Sequence, residues 1–115
     1  TDIPLTPEQI NEFFSCMKNH QTRFQKTGGC HASAAFDSSG KLLAIHEDIG
    51  RHNAVDKVIG ALALNHVLSQ AICLLVSGRV SYEIVSKCFR AGIPYLAAVS
   101  APSSMAVEYC SEKVF

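Results

Sequence analysis

Apolar and polar positions alternate along this chain in two rhythms. Ile10, Phe13, Phe14 and Met17 recur at helical spacing, which predicts an amphipathic helix. Thr6-Pro7-Glu8-Gln9 supplies its start: a hydroxyl cap, a proline suited to the first turn, and a glutamine closing a capping box. The pattern carries this helix to about Phe24, and Thr27-Gly28-Gly29 breaks it. Residues 31–36 and 41–47 read as two strands joined by the turn Asp37-Ser38-Ser39-Gly40. Val55, Val58, Ile59 and Leu62 give a second helix its buried stripe, with Asn53 as the expected cap, Asp56 three positions on, and Asn65 as the stop. Residues 71–76 form a continuous apolar run, as in a strand buried on both faces. Ser81 then caps a helix expected to turn Ile84, Val85, Cys88 and Phe89 inward, ended by Gly92 and Pro94. Residues 95–99 are the last strand, and Ser100-Ala101-Pro102 opens a final helix.

The element order is therefore α-β-β-α-β-α-β-α. A hairpin followed by β-α-β-α units predicts one α/β domain over residues 1–115, a three-layer sandwich around a mixed, mostly parallel sheet. The abrupt start at Thr1 and the apolar end at Val114-Phe115 suggest a piece of a longer protein.

Composition narrows the function classes. Ten basic residues balance ten acidic ones, which argues against a broad electrostatic grip on DNA or RNA. No segment is apolar for long enough to span a bilayer, and the N-terminus lacks a signal-peptide layout. Five cysteines, at 16, 30, 73, 88 and 110, form no C-x-x-C. Cys73, Cys88 and Cys110 fall on apolar faces and read as small buried hydrophobes. Such usage favours a reducing compartment, hence a cytoplasmic location.

The second, third and fourth strands are joined by helices, so they should run in one direction with their C-terminal ends along one edge. Open α/β sheets bind ligands at that edge. The polar segments 47–53, 77–81 and 100–104 follow those ends, and the hairpin returns residues 27–31 to the same place. Gly28, Gly29, Gly50 and Gly78 permit close backbone approach. Arg51 and Arg79 offer planar forks for phosphate or carboxylate. His31, Asp48, His52, Asn53, Lys57, Ser77, Ser100 and Ser103 complete the candidate set. Helix N-termini at the same edge add unpaired N–H groups and partial positive charge. Together these predict a site for a phosphate-bearing ligand. Plainer roles compete: Asn53, Ser81 and Ser100 as helix caps, Gly28-Gly29 as a turn, His46 as a packed strand residue, His20 and His66 as solvated helix residues, and Asp56 and Lys57 as surface charges.

Four blocks at these positions resemble one family. T-G-G-C-H-A (27–32), E-D-I-G-R-H-N-A-V-D-K (47–57), S-G-R-V-S-Y-E (77–83) and A-G-I-P-Y-L-A-A-V-S-A-P-S-S (91–104) resemble the FdhD family of formate dehydrogenase accessory sulfurtransferases. The resemblance implies a cytidine deaminase-like core. It implies relay of sulfur from a cysteine desulfurase to the molybdenum (or tungsten) bis(molybdopterin guanine dinucleotide) cofactor, which then enters formate dehydrogenase. GDP would mimic part of that ligand, and a homodimer is the implied assembly. The family's sulfur-carrying C-x-x-C precedes the first helix and has no counterpart in this chain, so no catalytic residue is expected here. Cys30 lies in a matching block but is given no catalytic role.

Two other readings compete. A zinc-dependent deaminase needs H-x-E or C-x-E at one helix start and P-C-x-x-C at the next. Here those starts read Arg51-His52-Asn53-Ala54 and Ser77-Gly78-Arg79-Val80-Ser81, which supply no thiolates. A metal held by His31, His46 and His52 is the weaker alternative to separate roles for the three, and no metal site is expected. The other reading is a cofactor-binding chaperone module without chemistry of its own.

Overall fold

A computed structural model describes residues 6–20, 31–78 and 81–99. Helix α1 (Pro7–His20) opens as its sequence dictates: Thr6 Oγ1 accepts the Gln9 N–H at 3.2 Å and Gln9 Oε1 accepts the Thr6 N–H at 3.0 Å. Strands β1 (His31–Asp37) and β2 (Leu42–Asp48) form the expected hairpin. Asp37 holds its turn by accepting from the N–H of Ser39 and of Lys41, each at 2.9 Å. Helix α2 (Arg51–Leu64) follows, then a short 3-10 turn (Leu68–Gln70), β3 (Ala71–Ser77), α3 (Tyr82–Arg90) and β4 (Tyr95–Val99). The continuation of α1 to Phe24, the break at Thr27 to Gly29 and the helix opened by Ser100 lie outside the described residues.

The four strands lie in the order β2-β1-β3-β4. β1 is antiparallel to both β2 and β3, and β3 is parallel to β4. So β2, β3 and β4 do share one direction, but among the described residues the sheet is mixed rather than mostly parallel, since only the β3–β4 pairing there is parallel. The cause is β1. Ala32, Ser33, Ala34, Ala35 and Phe36 are all buried, which requires cover on both faces and suits a central strand. It therefore inserts between its hairpin partner and β3.

Alternation along the strands divides the core. Ala32, Ala34, Phe36, Cys73, Leu75 and Ala97 face α1 and meet Ile10, Phe13, Phe14 and Met17. The rings of Phe13 and Phe36 stack there, with centroids 4.3 Å apart. Ala35, Leu74, Val76, Leu96 and Ala98 face the other way and meet Val55, Val58 and Leu62 of α2 and Ile84 and Cys88 of α3. Helices thus cover both faces. Phe89 departs from expectation: it is 43% exposed. One residue past Cys88, it lies about 100° further round the helix and off the buried stripe.

The start of α2 also differs. Its N-cap is Gly50 rather than Asn53, so the helix begins at Arg51. Asp48 accounts for the early start by accepting the Gly50 N–H at 3.0 Å, a local turn that sets the chain for helix two residues ahead of the expected cap. Ser81 caps α3 as expected, accepting the Ile84 N–H at 3.2 Å.

Candidate functional site

The hairpin register pairs His31 with Asp48. Both belong to the α2-facing set, since alternate residues Ala35 and Ala44 pack into the α2 cluster. The end of β3 comes to the same place. Ser77 Oγ accepts the Ala32 N–H at 2.8 Å, tying the close of β3 to the opening of β1. Next in the chain is Gly78, with φ +97°. A Cβ there would lie 3.0 Å from His31 Nδ1 and 3.4 Å from Arg51 Cδ. Three segments far apart in sequence, at His31, Arg51 and Gly78, thus meet at one edge of the sheet, and only a bare backbone fits between them.

Asp48, Asn53 and Lys57 converge on one another. Asp48 Oδ2 lies 2.7 Å from Lys57 Nζ, and Oδ1 accepts from Gly50 N–H and, at 3.5 Å, from Asn53 Nδ2. The Lys57 ammonium, then the Gly50 N–H, hold the Asp48 carboxyl down at about 2. This cluster fixes the entry into α2 and thereby the placement of Arg51 and His52, which follow Gly50 directly.

Helices α2 and α3 both leave strands of the same direction, so their N-termini sit side by side. His52 spans them. Its Nε2 is 3.5 Å from Ser81 Oγ, its Nδ1 is 3.9 Å from Glu83 Oε2, and Nδ1 is buried without a hydrogen bond. One turn further on, Lys87 Nζ of α3 pairs with Asp56 of α2 at 2.9 Å. Asp56 and Lys57 are thus both ion-paired, each about half exposed.

Of the residues proposed from sequence, His31, Asp48, Arg51, His52, Asn53, Lys57, Ser77 and Gly78 belong to this edge. Gly28, Gly29, Arg79, Ser100 and Ser103 lie outside the described residues, as do Cys30 and Cys110. His46 is a half-buried strand residue opposite Ser33. His66 is exposed but belongs to the turn after α2, with φ +58°. Ser81 and Glu83 entered the sequence reading only as a cap and a block residue; their link to His52 needs the packing of α3 on α2. Glu47 was not singled out. Its Oε2 is buried without a partner, and burial pushes its carboxyl up. The signal was present: in the period-two pattern it shares the α1-facing side of β2 with Ile45.

Cys73 and Cys88 are buried, and burial pushes the Cys73 thiol up to about 12. Cys16 is half-buried. Among the described residues no three His, Cys, Asp or Glu side chains gather as a metal set, and no helix is long and apolar enough to cross a membrane.

The described residues thus form an α/β domain in which strand ends, helix N-termini, an arginine and a bare glycine backbone meet at one edge of the sheet. The chain belongs to the FdhD/NarQ family, whose model matches residues 1–113. It is 50% identical over 111 residues to the sulfur carrier protein FdhD of Nocardia farcinica, covering 96% of this chain and 40% of that protein. It is 48% identical over 109 residues to that of Thermoplasma volcanium (95% and 39%) and 50% identical over 113 residues to that of Sulfolobus acidocaldarius (97% and 45%). The chain thus spans less than half the length of these relatives. A solved structure assigned as a formate dehydrogenase accessory protein, from Desulfotalea psychrophila, matches with TM-score 0.75 and 28% identity over 93% of this chain and 53% of that one.

Proposed function

We propose that this domain is the cofactor-holding body of a formate dehydrogenase accessory sulfur carrier. Its ligand is the molybdenum (or tungsten) bis(molybdopterin guanine dinucleotide) cofactor, taken as substrate. Its phosphates lie at the edge formed by Arg51, Gly78 and the N-termini of α2 and α3. Sulfur comes from a cysteine desulfurase, travels on a C-x-x-C supplied from outside these 115 residues, and leaves with the cofactor for formate dehydrogenase. The working assembly is a cytoplasmic homodimer, and the helices on both faces of the sheet correspond to a deaminase-like three-layer sandwich.

The observation that carries this reading is the meeting of His31, Arg51 and Gly78. A positive-φ glycine backbone, an arginine and two positive helix ends in one place are what a diphosphate requires. The relatives named as sulfur carriers, and the neighbour assigned as a formate dehydrogenase accessory protein, support the biological setting. No observation favours a zinc deaminase.

The test is calorimetry with GDP on the full-length protein. Arg51→Ala weakens GDP by about ten- to a hundredfold, the loss of ~1.5–3 kcal/mol from a charge-assisted hydrogen bond. Unchanged affinity in that variant would remove the assignment.

A further inference from the structure

His52 stands where two helices begin, and both of its ring nitrogens are turned toward the second of them. Nε2 has Ser81 Oγ at 3.5 Å, and buried Nδ1 has Glu83 Oε2 at 3.9 Å. A neutral imidazole has one N–H donor and one lone-pair acceptor, and the partners decide which nitrogen carries the proton. Ser81 Oγ already accepts the Ile84 N–H as the cap of α3, which leaves its O–H to donate to Nε2. The proton then belongs on Nδ1, where it faces the Glu83 carboxylate. Glu83 is 76% exposed, so its side chain has room to shorten that distance. The reverse tautomer would turn the Nδ1 lone pair toward a carboxylate oxygen and leave a buried acceptor unmet.

This contact is one rung of a ladder. His52 and Asp56 lie one turn apart on α2, and Glu83 and Lys87 lie one turn apart on α3. The second rung, Asp56 to Lys87 at 2.9 Å, is a partly exposed ion pair, a kind that holds weakly. The His52 rung lies at the ligand edge itself, where the unpaired N–H groups of both helices point. Arg51 precedes His52 in the same turn, so the rung also fixes where the arginine leaves the backbone. With both nitrogens committed to α3, the ring has no polar atom left for a ligand. It acts on binding only through where it places the two helix ends.

We infer that His52 is a positioning residue: as the Nδ1–H tautomer it ties the start of α2 to the start of α3, and so sets the spacing of the helix ends that hold an anion, without touching the anion itself. The inference rests on the binding role proposed above. An anion shared by two helix ends gains most when both sets of N–H groups converge on it, and side-chain ties between the helices decide whether they do.

The experiment uses the full-length protein. Long-range proton–nitrogen NMR of the histidine rings at pH 8 shows His52 protonated at Nδ1, both free and saturated with inorganic diphosphate. The Nε2–H form, or a change of tautomer on saturation, overturns the inference. Calorimetry with GDP then compares variants. His52→Phe keeps a ring without nitrogens and weakens GDP about 3- to 10-fold, the worth of a neutral hydrogen bond. His52→Gln, whose amide oxygen can accept from Ser81, recovers part of that loss. The losses from His52→Phe and Ser81→Ala do not multiply: the double variant binds more than about twofold tighter than their product requires. Fully multiplicative losses would mean that His52 acts on the ligand independently of α3, and overturn the inference. So does a His52→Phe variant that binds as well as the parent. Should His52→Phe fail to fold, the NMR of the parent decides alone. If the parent binds neither GDP nor diphosphate, the binding role falls and the positioning falls with it. A wrong tautomer or multiplicative losses, with GDP still bound, overturn this inference alone.

Discussion

His31 and Asp48 stand opposite each other across the hairpin, the first residue of β1 against the last of β2. The pairing brings a strand start to the edge where the other strands end. It also sets an imidazole beside the carboxylate that organises the entry to α2. Through Gly78, the His31 ring is packed against the segment that follows β3. The edge is thus held from three directions.

Gly78→Ala tests that packing. A left-handed backbone costs a residue with a Cβ about 1–2 kcal/mol, and the added methyl would press on the His31 ring at 3.0 Å and the Arg51 stem at 3.4 Å. Thermal melting should show a loss of that order, and GDP affinity should fall with it. A variant as stable as the parent and binding equally well would mean that the edge does not need its bare backbone.

Asp48 makes stability depend on acid. Its folded carboxyl is held at about 2, below the ordinary 3.8, by Lys57 and then by the Gly50 N–H. A depressed carboxyl contributes stability that is complete above the unfolded value and is lost as pH falls toward the folded one. Between pH 4 and pH 2, the parent should therefore lose stability more steeply than Asp48→Asn. Parallel pH profiles of the two melting temperatures would refute the assignment.

Glu47 acts in the opposite sense. Burial raises its carboxyl above the ordinary 4.5, so the ionised form is disfavoured in the folded protein. The stability tied to this group is present below pH 4.5 and is lost as pH rises through the raised value. Glu47→Gln should raise the melting temperature at pH 7 and do so much less at pH 4. An equal effect at both pH values would show that charge is not what matters at this position.

The thiols should differ in reactivity. Cys73 is buried with its thiol raised to about 12, and the thiolate is the reactive form. Iodoacetamide followed by mass spectrometry should modify half-buried Cys16 well before Cys73 or Cys88. Incubation with a cysteine desulfurase and labelled cysteine should leave Cys73 and Cys88 free of persulfide. Rapid labelling of Cys73 in the native protein would contradict its burial.

Much of this was legible in the sequence because each element carries its own boundary chemistry. The Thr6–Gln9 box, the turn at Asp37, the Ser81 cap and the continuous run of β3 all depend on neighbours within a few residues. What was not legible depends on distant partners. Asn53 looked like a cap because Asn commonly is one; the cap moved to Gly50 because Asp48 turns the chain first. The central place of β1 follows from the small side chains of Ala32, Ser33, Ala34 and Ala35, which admit neighbours on both sides, but no local pattern says which strand will take the second edge. The bridge from His52 to Ser81 joins residues 29 positions apart and needs the packing of two helices. For the edge as a whole, strand direction was enough to gather His31, Asp48, Arg51 and Gly78, and packing then decided which of them touch.

The position of β1 has a consequence for the order in which the protein becomes competent. The hairpin closes over a short turn, but Ser33 must wait for Val76, and Ala32 for the Ser77 hydroxyl, before the second side of β1 is covered. Partners more than forty residues apart make this the slow, entropically costly closure. Until β3 docks, Gly78 cannot reach His31, and the edge is only half built. A chain emerging from the ribosome therefore acquires its hairpin early and this edge late, when β3 arrives.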